Sequence, residues 1–503
     1  MTARDSRRQA ISFTLFGAVL GAAGLLVATS ALGLSARVQS APATAPSAAA
    51  PDATPITYVG KVGLTPERGV AGTIVAVSGS GFQSGTAVTV AWNSVAGSWK
   101  LQGDAQELFM GRSFTPVRTE LASATIDAIG NLTARFKAPL DYGFSHDVTI
   151  EQGDRLLNKA AFRLDPTVSV EPAAGPTGTP ITIRMEGVGW ANLENSWMVT
   201  YDNQFTGLLS SVTTGGVAVA TIPAAGAVGR HVIRIVHGSF TVPYLNMEQS
   251  PRPDRPTFTF TYDVTDGPAV AARDAELQSL APGKATPPEG NGPAIWTDPA
   301  SATVGTPVTV NGRGFAANAD LAVTWTTVVG NRVGGNGWDE ETKDAVHVRT
   351  SADGSFEWKW TVPDDLGGAH RLAAVVGGTT VARGALVITP SLVSPSSMTA
   401  KVGTELTIHL KGVGWTETAN IYNMTYDNGF LGYVCGFNSQ GDVVIHLPAA
   451  GTIGRHYIDL YPGIYKGKDV DGVQNFRIPQ LTAEADHPGE RLPIFRIAVD
   501  VTE

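Results

Sequence analysis

The chain has 503 residues, 43% of them hydrophobic and only 16% charged, with 57 Gly, 31 Pro and a net charge of −9. That length serves about three to five domains with cores of their own, and the acidic balance excludes a sequence-independent nucleic-acid binder, which needs clustered Lys and Arg to displace counterions. Cys435 is the single cysteine, which excludes intramolecular disulfides and leaves stability to core packing.

At the N-terminus Arg4, Arg7 and Arg8 precede an uncharged apolar run from Ile11 to Leu34. Basic residues ahead of such a run stay cytoplasmic, so the rest of the chain is expected outside the membrane, in the cell envelope or secreted. Residues 1–35 read as a signal peptide or a signal anchor forming one hydrophobic helix. The membrane is touched only through that helix, if it is not cleaved at the small residues around Val38-Gln39-Ser40. Ser6-Arg7-Arg8-Gln9-Ala10-Ile11 resembles a twin-arginine export signal without its Phe-Leu-Lys. Residues 36–56, rich in Ala, Pro, Ser and Thr, read as a flexible linker.

Beyond this point the chain repeats itself. Gly178–Ile235 aligns without a gap onto Gly403–Leu460 at an offset of 225, with 25 of 58 positions identical. Gly187-Val188-Gly189-Trp190 matches Gly412-Val413-Gly414-Trp415, Thr200-Tyr201-Asp202-Asn203 matches Thr425-Tyr426-Asp427-Asn428, and Gly229-Arg230-His231 matches Gly454-Arg455-His456. A looser pair precedes each copy: Gly72 to Trp92 parallels Gly305 to Trp325, and Gly143 and His146 parallel Gly367 and His370. The order is A-B-A-B, with domains A1 at 57–165, B1 at 166–266, A2 at 294–389 and B2 at 390–503, and a linker at 267–293 between the two units.

Within each repeat the pattern is that of strands. Apolar and polar residues alternate in Thr306-Pro307-Val308-Thr309-Val310-Asn311-Gly312, as a half-buried strand requires. Ala322-Val323-Thr324-Trp325 is a second strand, and Asp353-Gly354 is a turn leading into Phe356-Glu357-Trp358-Lys359-Trp360. Many short strands with Gly- and Pro-rich turns predict an all-β chain of four tandem immunoglobulin-like sandwiches. The motif from Pro299 to Phe315, Pro-x₅-Gly-Thr-x-Val-Thr-Val-x-Gly-x-Gly-Phe, resembles the opening of IPT/TIG-type bacterial immunoglobulin-like domains. The resemblance implies a spacer, an adhesive module or a carbohydrate-contacting module on an exported protein.

No nucleophile elbow, His-Glu-x-x-His or phosphate loop occurs in the sequence, so the expectation is a non-enzymatic protein without a cofactor. His146, His370, His231 and His456 each open a strand after a turn; without an evident carboxylate partner common to both copies they read as packing residues, and no metal site is expected. The residues singled out for binding are Tyr201, Asp202 and Asn203 with Tyr426, Asp427 and Asn428, where a tyrosine ring and amide or carboxylate groups on a hairpin turn suit a sugar or peptide. Trp99 and Phe109 join them, in an apolar insertion from Trp99 to Pro116 that packs on a neighbouring domain or on a partner. The partner expected is an extracellular glycan or an envelope protein; a scaffold subunit of an envelope complex and an enzyme with a site at the A–B junction are the alternatives. Two further expectations concern mechanics. Pro166 and Pro390 leave almost no linker within a unit, so each A–B pair is rigid while the pairs move about the central linker. Cys435 is expected to be buried in a strand.

Overall fold

A computed structural model describes residues 57–102, 108–239, 241–252, 254–271, 280–330, 338–466 and 476–503. The apolar run at 11–34 and the linker at 36–56 lie outside the described residues, and among the described residues no helix is long and apolar enough to cross a membrane.

Eight sheets pair into four sandwiches. In A1, strands Lys61–Thr65, Ile74–Ser80 and Leu132–Lys137 make a three-stranded sheet, while Arg68–Gly69, Arg155–Leu164, Phe144–Gln152, Ala87–Gln102 and Leu108–Thr125 make a five-stranded one. The other three domains repeat this order. The all-β, four-sandwich architecture expected from the alternation is thus present.

The local chemistry explains the repeat of topology. Along Pro180–Glu186, Pro307–Arg313 and Glu405–Lys411 every second side chain is buried, the period of a strand with one face on a core. The opening strand of every domain changes sheets at a proline: Pro66, Pro172, Pro299 and Pro395 stand between the half that pairs antiparallel in the small sheet and the half that pairs parallel in the large one. A residue without an N–H cannot carry the ladder through, so pairing ends there. Each core closes on large rings, with Trp92, Trp197 and Tyr262, Trp325, and Tyr422 and Phe495 at 5% exposure or less in A1, B1, A2 and B2.

Within each unit the junction is a backbone contact. The Gly143 N–H donates to Val188 O at 3.2 Å and the Gly367 N–H to Val413 O at 3.1 Å. A Cβ on Gly143 would lie 1.8 Å from Gly187 O, and one on Gly367 2.0 Å from Gly412 O. Only glycine permits that approach, which accounts for both the shared glycines and the Gly-Val-Gly-Trp motif opposite them.

The structure corrects two expectations. Cys435 lies just past strand Gly429–Val434 and is exposed, because the chain turns there into the short helix Phe437–Ser439. The two units are also not left to move about the central linker. Segment Pro479–Leu481 of B2 runs along the B1 edge strand Gln204–Leu209, with the Leu208 N–H donating to Pro479 O at 2.7 Å and the Leu481 N–H to Leu208 O at 2.9 Å. The Phe205 and Phe430 rings meet at 5.6 Å, Tyr461 OH donates to Thr206 O at 2.9 Å, and Asn428 Nδ2 donates to Pro223 O at 2.8 Å. The linker itself is bonded down at Val270, whose N–H donates to Thr177 O at 2.8 Å and whose carbonyl accepts from Tyr457 OH. A chain nicked at a protease site engineered between Gly267 and Pro293 is therefore expected to run as two pieces on a denaturing gel and as one peak in gel filtration under native conditions. Separation of the halves without denaturant would contradict the interface.

Candidate functional site

The two Tyr-Asp-Asn triplets form the hairpin turns that their residue types suggest. Asp202 and Asn203 have φ of 48° and 66°, and Asp427 and Asn428 repeat those values. Two successive left-handed residues make the turn that matches strand twist, and Asp and Asn tolerate it. What the side chains do next decides their role. Tyr201 is buried, and its OH donates to Ala225 O at 2.7 Å; Tyr426 does the same to Ala450 O at 2.6 Å. Asp202 accepts the Val232 N–H at 2.8 Å and faces His231 Nδ1 at 2.6 Å. Asp427 accepts the Tyr457 N–H at 3.0 Å and faces His456 Nδ1 at 2.5 Å. The carboxylate partner missing from the sequence reading is thus present in both copies. It was overlooked because it stands 29 residues away from its histidine, across the sheet.

The remaining nitrogen of each of these histidines faces a carbonyl, Ala227 O for His231 and Thr452 O for His456, both at 2.7 Å. With an acceptor on either side the ring uses both N–H groups only as imidazolium. Burial opposes the charge on His231, and the bonds to Ala227 O and Asp202 outweigh it, leaving its pKa raised. On His456 the bond to Asp427 is the largest influence and raises the pKa against burial.

In the A domains the histidines serve a different purpose. His146 stacks on Trp92 with ring centroids 4.2 Å apart, and His370 on Trp325 at 4.4 Å. Each tryptophan donates its indole N–H to an aspartate, Trp92 to Asp141 at 2.7 Å and Trp325 to Asp365 at 3.0 Å. Asp365 also accepts from Thr327 Oγ1 at 2.7 Å and from Gln440 Nε2 of B2 at 2.8 Å, so this stack braces the junction. Burial works to raise the Asp365 pKa, but the charge of His370 and these hydrogen bonds hold it below the ordinary carboxylate value.

Trp99 and Phe109 lie on the two arms of the long A1 hairpin, and their neighbour is B2, not B1. The Phe109 N–H donates to Glu417 Oε2 at 2.6 Å, and its carbonyl accepts from Lys466 Nζ at 2.8 Å. Phe109, Glu417 and Lys466 are all buried. The Trp99 indole N–H donates to Asp486 O at 3.0 Å. The carboxylate of Asp486 points into B1: Oδ2 accepts from Ser210 Oγ and the Val212 N–H, and Oδ1 from the Thr213 N–H and Oγ1, all at 2.7 Å. One residue of B2 with 1% exposure thus meets A1 through its carbonyl and B1 through its carboxylate. Asp486, Glu417 and Lys466 were missed because none has a counterpart of its kind in B1. The available signal was length, since the offset between the B copies grows from 225 at Leu460 to 237 at Phe495 and so places 12 extra residues there.

The binding candidates are therefore largely committed to the fold. Asn428 is buried against Pro223, Tyr201 and Phe109 are interior, and Asp202 and Asp427 hold their histidines. Asp202 and Asn203 are the exposed residues of the two turns, and Asp202 is held within B1 by His231 and Val232. Among the described residues no group of three or more His, Cys, Asp or Glu is placed to hold a metal ion. A cleft of about 210 Å³ opens at the A2–B2 junction between Gly367, Arg371, Gly414, Trp415 and Leu492, smaller than the several hundred Å³ that most ligand sites offer.

No family model matches the chain, and no curated protein matches it in sequence. Solved structures similar to it include a mutant Salmonella alpha-2-macroglobulin, at 11% identity and TM-score 0.19 over 86% of this chain and 30% of that chain. The Yersinia pseudotuberculosis adhesin InvE is 15% identical with TM-score 0.16, over 44% of this chain and 58% of that chain. The Bacteroides ovatus mixed-linkage glucan utilization locus protein SGBP-B, in complex with a mixed-linkage heptasaccharide, is 13% identical with TM-score 0.16, over 67% of this chain and 70% of that chain. This chain spans less than a third of the macroglobulin's length. Overlaps this low carry no functional argument, and the architecture rests on the strands and sheets themselves.

Two outcomes follow from these contacts. Asp486→Ala leaves the buried Val212 N–H and Ser210 hydroxyl and the part-buried Thr213 N–H without their carboxylate acceptor, and is expected to cost about 3 kcal/mol or more in denaturant unfolding, with Trp99 fluorescence shifting to the red as the hairpin tip opens to water. Unchanged stability would show that the carboxylate is not the clamp. For the histidines, a folded pKa above the unfolded value of about 6.5 means stabilisation that is complete below that value and lost as pH rises through the folded pKa. The stability gap between the native protein and the double variant His231→Gln/His456→Gln should therefore narrow as pH is raised from 6 through 8 in thermal melts; a gap that widens would reverse the assignment.

Proposed function

We propose that this chain is an exported, non-enzymatic cell-envelope protein whose four sandwiches are fused into one block that binds an extracellular protein or glycan. The observation that carries this reading is where its reactive side chains are spent. Among the described residues, histidine–aspartate pairs, a buried carboxylate, a buried lysine and two tryptophan–histidine stacks direct their hydrogen bonds at neighbouring strands or domains. The export part of the proposal rests on Arg4, Arg7 and Arg8 ahead of the apolar run, and the kinship with IPT/TIG-type modules on the Pro299–Phe315 opening.

A scaffold that presents surfaces fits the block better than a rod of independent modules, because the hairpin and the B2 insertion tie A1, B1 and B2 to one another. The glycan branch of the proposal looks to A2, where the half-buried Trp358 and Trp360 rings stack at 5.2 Å on the outermost strand of the small sheet, packed against the A2 core and Trp325 on one side and partly open to solvent. Binding of the full chain to cell-wall fractions and to a glycan array, beside the Trp358→Ala/Trp360→Ala variant, separates the branches. Retention on glycans that the variant loses supports stacking, and retention on envelope proteins by both supports the scaffold. Turnover of a substrate, or no retention on either, would sink the proposal.

A further inference from the structure

Duplication gives each A–B junction a twin, and the twins differ where one of them seats an aromatic ring. In the first unit Phe144 has φ of 73° and sends its ring, 2% exposed, across the junction into the B1 core. The ring lies over the Gly189 backbone, where an added Cβ would meet Phe144 Cδ2 at 2.8 Å. Arg252 covers it, with the guanidinium 5.3 Å from the ring centroid and donating to Glu194 Oε1 at 2.8 Å.

The second unit keeps the seat and lacks the side chains that fill it. At offsets of 224, 225 and 237 the counterparts of Phe144, Glu194 and Arg252 are Gly368, Ala419 and Gly489. Pro251 and Pro256 fall on Pro488 and Pro493, which fixes the last of these matches. Gly414 stands for Gly189, and Gly368 keeps a left-handed backbone with φ of 104°. A Cβ added to Gly368 has Trp415 Nε1 as its nearest neighbour, at 3.8 Å. The cleft of about 210 Å³ opens at this place, lined by Gly368, Gly414, Ala419, Pro390, Trp415 and Leu492. An apolar cavity of about 150 Å³ accepts one benzene ring, so a space too small for most ligands suits a single ring. Arg371 and Glu490 also line it; they are opposite in sign and Arg371 is paired with Glu340, so the cleft selects no ion.

We propose that the A2–B2 cleft is a binding site for an aromatic ring, the phenylalanine side chain of a partner protein, seated where the first unit seats its own Phe144. The twin junction supports that occupant, because the ring it holds is borne on a polypeptide and lies against the same Gly-Val-Gly-Trp backbone. Aromatic side chains buried in pockets are also the usual anchors of protein interfaces. The inference rests on the binding role proposed above for the source of the ring, and deepens it by naming the chemistry of one contact.

Ligand-observed NMR titration of the full chain tests this, in a mild detergent that shields the 11–34 run and against a detergent blank. The probes are N-acetyl-phenylalaninamide, N-acetyl-alaninamide, p-cresol and methyl glucoside. The phenylalanine probe should saturate the chain and bind about tenfold or more tightly than the alanine probe, the worth of burying one phenyl ring. Two variants refill the cleft: Gly368→Phe restores the ring of the twin, and Ala419→Gln brings a side chain the length of Glu194. Each should abolish the preference. Gly368→Phe falls on left-handed backbone, so its thermal melt is read beside its titration; Ala419 lies outside that region and tests the site without the strain. No preference for phenylalanine over alanine, or an Ala419→Gln variant that binds as the native chain does, would overturn the site. Tighter binding of p-cresol would assign it to free aromatic compounds, and tighter binding of methyl glucoside to sugars; either overturns the partner side chain. No partner enters these titrations, so their failure leaves retention on envelope fractions standing, and failure of that retention leaves a saturable ring site intact.

Discussion

Asp486 is a charge taken out of water, and the arrangement of three domains depends on how that charge is satisfied. Removing a carboxylate from water costs several kcal/mol unless donors replace the lost hydration. Here four donors do so, two backbone N–H groups and two hydroxyls, all from the stretch of B1 that follows its edge strand. None of them can be met by a loop of B2 that is merely nearby; the segment Pro479–Leu481 must lie along Gln204–Leu209 in register for the carboxylate to arrive. The same turn of chain then presents Asp486 O to the Trp99 indole, so the A1 hairpin is fixed by the geometry that fixes B1. Glu417 and Lys466 add a second grip on the hairpin at Phe109, through backbone atoms that any residue at that position would offer. The burial of the Phe109 ring, 5.9 Å from that of Trp99, is what makes the site specific.

The junctions inside each unit rely on the opposite device. There is no charge at the closest point, only glycine against a carbonyl, with Gly143 over Gly187 and Gly367 over Gly412. A backbone that close leaves no room for rotation, and the Trp–His–Asp stack beside it fills the remaining space with flat rings and satisfied polar atoms. Within the chain, then, the closest contacts inside each unit are made of backbone and glycine in both copies, while those between the units combine backbone pairing with side chains, several of them from the B2 insertion. The difference has a physical basis, since a backbone contact admits almost no substitution and stays the same in both copies, whereas a side-chain clamp can be added to one copy alone.

That distinction also explains what could be read from the sequence. Period-two alternation, glycine turns and the internal repeat carried the fold class, because each is local or repeats at a constant spacing. The Asp-Asn turns were legible for the same reason. Their tyrosines and aspartates looked like a binding loop because exposure is not written in residue type; Tyr201 turns inward to Ala225 O, and Asp202 across the sheet to His231. Trp99 and Phe109 announced an interface by their apolar character, yet the neighbour could not be named, since sequence adjacency pointed to B1 and the chain folds B2 back instead. Asp486 was invisible. It is one acidic residue in a segment without a repeat, and its importance comes wholly from four donors some 270 residues away. The expected mobility of the central linker failed on the same point, as Gly- and Pro-rich composition says nothing of a Tyr457 hydroxyl waiting for Val270 O.

The two B domains show how much a duplicated fold can diverge in contact while holding its backbone. Asn203 and Asn428 share a φ of 66°, and one faces solvent while the other is buried against Pro223. Leu245 and Leu481 each stand two residues past a proline in the segment after the long strand, and one is exposed while the other packs against the B1 core. Ser210 and Cys435 end the same strand, and only the serine can accept from Gln480 Nε2, at 2.7 Å, while donating to Asp486. A thiol in that place is a weak donor and a weak acceptor. The B2 copy of this strand end therefore lacks the hydroxyl that completes the anion site in B1, and the buried carboxylate clamp belongs to B1 alone.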